Sequence, residues 1–156
     1  MMGNMQSADV KSVTPDPKLE RLERELRDFF SGVEDVTVAY LFGSTVRGEA
    51  NSLSDIDIAV LFKESLSQEE AFDLQLELIG ELTELLNTNN VDLVVLNDSP
   101  LLLTYNVIRD GIILKSDELE RVRFETRIMS RYLDERYHIE RHAKESLKRI
   151  AENGFR

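Results

Sequence analysis

An α/β fold, a small mixed β-sheet flanked by helices with a long helix or helix pair at the C-terminus, is predicted by three observations. Short apolar runs at Val36–Phe42, Asp55–Phe62 and Val91–Leu96 read as strands, and segments of helical period separate them. The stretch after Asp117 then carries neither glycine nor proline until Gly154, which predicts one helix longer than the usual globular range, or two with a bend. Strands alternating with helices place helices against the faces of a sheet.

The N-terminal segment, residues 1–15, is polar and unpatterned and is expected to be flexible. Asp16-Pro17 reads as an N-cap followed by a first-turn proline, and Leu19, Leu22, Leu26, Phe29 and Phe30 recur on one helical face. Gly32 ends that helix. The first strand follows and is expected to pair with the second across a polar spacer containing Asn51-Ser52. Ser67-Gln68-Glu69-Glu70 fits a capping box, and Ala71, Leu74, Leu78, Leu82 and Leu85 form the stripe of the next helix. Asn89-Asn90 supplies a turn into the third strand. Ser99-Pro100 starts a short helix to about Arg109, Gly111 stops it, and Ile112-Ile113-Leu114 adds an edge strand. Ser116 or Asp117 opens the last element, whose stripe of Leu119, Val122, Met129, Leu133, Ile139, Leu147 and Ile150 exceeds what a small sheet covers. A protein partner, or a homo- or hetero-oligomer through this helix, is expected to cover the remainder. The domain division that follows is a segment over 1–15, a core over 16–116 and a helical extension of the same domain over 117–156.

Composition narrows the function. With 156 residues, 42% of them hydrophobic, the chain can bury one real core. Thirty acidic against nineteen basic residues give a net charge of −11, which repels polyanions, so nucleic acid is not the expected partner. No run approaches the roughly 20 apolar residues of a membrane span and no leader pattern opens the chain, so no membrane and a cytoplasmic location are expected. The absence of cysteine removes disulfides and thiolate chemistry.

The chemistry concentrates in one segment. Leu41-Phe42-Gly43-Ser44 is followed, after ten residues, by Asp55-Ile56-Asp57-Ile58. Successive strand side chains point to opposite faces, so Asp55 and Asp57 project together. Two carboxylates beside a phosphate suit Mg²⁺, a hard cation usually held by one or two acids and the phosphates of its substrate. Glycine lets the backbone approach a phosphate, and Ser44 adds a hydroxyl at the start of a short helical turn. Asp92 interrupts an otherwise apolar strand; if its strand neighbours the second, three carboxylates converge and Asp92 takes the role of base in a displacement assisted by two ions. Arg47 reads equally as a phosphate brace or as a surface charge paired with Glu49. The Arg131–His138 and Arg136–His142 spacings mimic a ribonuclease signature but arise readily in a charge-rich helix, and they are set aside.

Phe42-Gly43-Ser44, Asp55-Ile56-Asp57-Ile58 and Val91-Asp92-Leu93 together resemble the nucleotidyltransferase superfamily that includes DNA polymerase β. The small size and the spacing look most like the minimal nucleotidyltransferases (MNT) that act as antitoxins beside HEPN toxins, over about Val36 to Ile150. That resemblance implies Mg²⁺-dependent transfer of AMP from ATP to a tyrosine hydroxyl of a HEPN ribonuclease toxin. Gly43 and Ser44 would bind phosphate, Asp55 and Asp57 would ligate the metals, and Asp92 would ligate one and activate the tyrosine. Two competitors stay open: transfer to a small-molecule hydroxyl such as an aminoglycoside, and a binding-only antitoxin with an idle acid cluster.

Overall fold

The computed structural model describes residues 16–49 and 55–153. The expectations for residues 1–15, for the Asn51-Ser52 spacer and for Gly154 lie outside the described residues. The elements run α1 (Pro17–Ser31), β1 (Val36–Phe42), α2 (Ser44–Arg47), β2 (Ile56–Phe62), α3 (Gln68–Leu86), β3 (Val91–Val95), a 3-10 turn (Leu96–Asp98), α4 (Leu101–Asp110), β4 (Ile112–Ser116) and α5 (Glu118–Asn153).

Local chemistry sets the helix starts. The Asp16 carboxylate accepts from the Lys18 amide at 3.0 Å, with Pro17 in the first turn. Ser67 and Glu70 cap α3 reciprocally as a capping box. At the end of α3 the left-handed residue is Asn87, two positions ahead of the expected Asn-Asn turn, and its amide donates to Glu84 O. Ser99 does not cap α4: its hydroxyl donates to Val95 O at 2.7 Å, and Pro100 holds the N-cap position without a side-chain bond.

The sheet has the order β3-β2-β1-β4. β1 is antiparallel to both β2 and β4, whereas β2 and β3 are parallel. A parallel pair needs a crossover, and α3 supplies it. Alternation along the strands divides the core into two layers. Ile58 and Val60 face α1 and α3 together with Leu26, Phe30, Leu78 and Leu82. Ala59 and Leu61 face the other way, toward Val107 of α4 and Phe124 and Ile128 of α5. Asp57 shares the parity of Ala59 and Leu61, and on β3 Asp92 faces away from Leu93, so both acids belong to the α4/α5 face.

Two apolar stripes differ from expectation. Leu85 is 43% exposed, and Leu86 and Ile79 pack against the core in its place. A helix gains 100° per residue, so the stripe drifts by about one position over α3's length. On α5, a single helix, the stripe residues Leu119, Val122, Met129, Leu133, Ile139, Leu147 and Ile150 all stay exposed, Leu133 at 55% and Leu147 at 67%. The seam instead runs through Phe124 and Ile128, where the Tyr40 hydroxyl donates to Glu125 Oε1 at 3.0 Å and Arg121 holds Oε2 at 2.9 Å. Burial pushes the Tyr40 phenol far above its usual range, so it stays a proton donor. With 36 residues α5 extends about 54 Å, against about 23 Å for the longest strands, so its second half outruns the sheet.

The two leucines give a direct check on the seam of α3. Leu82→Ala, at a fully buried site, is expected to lower the unfolding free energy by about 2–5 kcal/mol in urea denaturation, and Leu85→Ala to change it by no more than about 0.5 kcal/mol.

Candidate active site

Register brings the predicted residues to one end of the sheet. Asp57 lies opposite Phe42 of β1 on one side and opposite Asp92 of β3 on the other. Asp55 stands just before β2, whose first strand residue is Ile56, so it flanks the pair from exposed chain. β1 ends beside Asp57, and Gly43 follows with φ +82. A Cβ there would overlap the Asp57 carboxylate, so both the backbone conformation and the space demand glycine. The single turn α2 begins at half-buried Ser44, and the Arg47 amide donates to Gly43 O at 3.2 Å. Gly48, with φ +74, closes it.

The electrostatics join these groups. Partial burial raises the Asp57 carboxyl above the ordinary carboxylate range, and the charges of Asp92 and then Asp55 raise it further, while the Arg47 guanidinium opposes them. Arg47 itself pairs with Glu49 at 3.1 Å through exposed side chains, and its charge also acts to lower the Asp57 carboxyl. The expected convergence is looser than a closed cluster: among the described residues no three Asp, Glu, His or Cys groups gather closely enough to hold an ion alone. Asp55 and Asp92 are exposed, so water and salt screen their repulsion. The donor set nonetheless fits Mg²⁺. It consists of hard carboxylate oxygens, its central member is strained by like charge, and Mg²⁺ completes its shell from substrate phosphates and water.

The surroundings add what the sequence did not single out. Leu41 pairs with Ile112, so the end of α4, Arg109 and Asp110, borders the same end of the sheet. The signal lay in Gly111 preceding the β4 run, but its meaning depends on β4 pairing with β1. The acids lie on an open shelf, whereas two clefts of about 410 Å³ lie at the opposite end of β2 around Phe62 and Lys63. Arg131, Arg136, His138 and His142 are exposed on α5, and Arg136 pairs with Glu140 at 3.1 Å, as a solvated helix face should.

Comparison with known proteins places this geometry. The family model "Polymerase beta, Nucleotidyltransferase" matches residues 24–120. No curated protein matches the chain. A chain of a crystal structure described as a toxin-antitoxin with AMP-PNP is 26% identical with a TM-score of 0.59, over 83% of this chain and 98% of that one. A chain of the MntA-HepT toxin-antitoxin structure is 25% identical with a TM-score of 0.54, over 83% and 96%. A complex of tri-AMPylated Shewanella oneidensis HEPN toxin with MNT antitoxin gives 26% and 0.53, over 83% and 95%. Among the described residues no helix is long and apolar enough to cross a membrane.

The raised Asp57 carboxyl makes a signed prediction. Ionising it costs stability, a cost absent below the ordinary carboxylate range that sets in as pH rises through the raised value. In metal-free buffer at pH 7, Asp57→Asn is therefore expected to melt above the parent protein, and the difference is expected to vanish near pH 3. Since Asp57 is only partly buried and screened, the gain should stay below about 1 kcal/mol.

Proposed function

We propose, from the premise that this chain belongs to the polymerase β nucleotidyltransferase family, that it transfers AMP from ATP to a tyrosine hydroxyl of a partner HEPN toxin and thereby acts as its antitoxin. The observation that carries the reading is the register that sets Asp57 against Asp92 beside the Gly43 turn. The similarity to chains of toxin-antitoxin structures, one with AMP-PNP and one with a tri-AMPylated HEPN toxin, supports both the nucleotide and the acceptor. The exposed apolar side chains along α5 favour a macromolecular acceptor over an aminoglycoside-sized one.

Asp55 and Asp57 would hold Mg²⁺, two ions in the full reading, with Asp92 sharing one. Bound there, the metal supplies positive charge against that developing on the phosphoryl oxygens and the leaving pyrophosphate. Gly43 leaves the backbone bare where a phosphate approaches, and the Ser44 hydroxyl donates to it. Arg47 exchanges Glu49 for a phosphate oxygen, a stronger charge-assisted contact than an exposed ion pair. Asp92, exposed at the rim, accepts the proton of the acceptor hydroxyl. The freed oxygen forms a bond to the α-phosphorus of ATP, the bond from that phosphorus to the bridging oxygen breaks, and pyrophosphate leaves with its electron pair. Residues 16–116 form the catalytic core in this reading, and the extension over 117–156 receives the partner.

Asp55→Ala with Asp57→Ala separates the enzyme from a binding-only antitoxin. The double variant is expected to fold, because it sheds clustered negative charge, and to reduce transfer by at least about a hundredfold. Intact mass of a co-expressed toxin should show AMP-sized additions with the parent protein, Mg²⁺ and ATP, and none with the variant. Unmodified toxin that is still fully neutralised would favour the binding-only account.

A further inference from the structure

The end of α4 forms a third side of the site. Phe42 pairs with Asp57 and Leu41 with Ile112, so Gly111 lies two strands from Asp57, about 10 Å across the sheet. A Cβ at Gly111 would stand 3.4 Å from the Leu41 carbonyl and from Tyr40 Cβ, an ordinary contact distance that seats this turn on β1, while the Val107 carbonyl of α4 leaves it no room. α4 also belongs to the layer on the face from which Asp57 and Asp92 project.

Arg109 is held there by aromatic support. Its guanidinium lies 5.5 Å from the centre of the Tyr105 ring, and Tyr105 stacks on Tyr132 at 3.7 Å and 5°. Its ionic partner is its own neighbour: Nε donates to Asp110 Oδ1 at 3.0 Å and Nη2 to Oδ2 at 2.8 Å. Both side chains of that pair are about half exposed, so the pair is easily exchanged. The Arg47 charge acts to lower the carboxyls of both Asp57 and Asp110, in keeping with the register that brings the end of α4 to the same end of the sheet as the acids. A triphosphate entering beside three carboxylates, on a chain of net charge −11, needs protein cations in addition to a metal.

We propose that Arg109 is a second guanidinium of the nucleotide site, which leaves Asp110 to hold triphosphate oxygens from the α4 side while Arg47 holds them from the β1 side. The inference rests on the nucleotidyltransferase reading and goes beyond it by adding Arg109 as a binding residue and Asp110 as its competitor. The planar fork of arginine, carried on an aromatic platform, matches phosphate oxygens in pairs.

Opposite effects at adjacent positions test it. Calorimetry of the full chain with AMP-PNP and Mg²⁺ should give a dissociation constant about tenfold higher for Arg109→Gln, part of which Arg109→Lys recovers. Asp110→Asn should lower the constant about threefold, because it frees the guanidinium from an exposed pair. Equal binding by Arg109→Gln and the parent, or weakening by both Arg109→Gln and Asp110→Asn, overturns the proposal; the latter would mark the end of α4 as merely structural. Failure of the parent chain to bind AMP-PNP would refute the nucleotide reading itself and this inference with it, an outcome distinct from either.

Discussion

The parallel, in-register pairing of β2 with β3 is the constraint from which the site follows, because it sets two carboxylates, Asp57 and Asp92, side by side on one face. Like charges directly across a ladder oppose the fold. What holds the register is apolar: Ile58 and Val60 must meet α1 and α3, and a slip of one residue would drive Asp57 into that core. The core thus forces an electrostatically unfavourable contact at the sheet end, which a divalent cation and its nucleotide would relieve. Gly43 belongs to the same constraint, since any side chain there would displace the Asp57 carboxylate.

Much of this was legible in the sequence because it rests on local chemistry. The Asp16-Pro17 start, the Ser67–Glu70 capping box, the bounds of β1 and the parity of Asp57 depend on neighbours a few residues away. What was not legible depends on distant partners. Whether Leu85 or Leu86 packs depends on how α3 lies on the sheet, and the seam of α5 passes through Phe124 and Ile128, which pack with Val38, Tyr40, Ala59, Leu61 and Val107, while the Tyr40 hydroxyl donates to Glu125. Arg109 had no signal of its own, since its place at the site follows from β4 pairing with β1. The three acids share one end of the sheet, as expected if the second and third strands are neighbours, yet among the described residues they do not form a closed ligand set.

The long helix divides labour within the chain. Its first turns close the core over Tyr40, and its remainder carries Leu133, Ile139 and Leu147 into solvent. A helix whose apolar side chains outrun its own domain is suited to a macromolecular partner. The same face of the sheet bears α4, α5 and the two acids, so a protein engaged along α5 approaches the acid shelf from the side on which transfer would occur.

The central claim, that Asp55, Asp57 and Asp92 share a divalent cation beside a nucleotide, is tested most directly by Mn²⁺ titration of the isotopically labelled chain with AMP-PNP, followed by amide NMR. Paramagnetic broadening should begin at Gly43, at Ile56–Ile58 and at Val91–Leu93, before the remaining acidic surface responds. Broadening that starts on the glutamates of α3 or α5, or that spreads evenly over the acidic surface, would contradict the account.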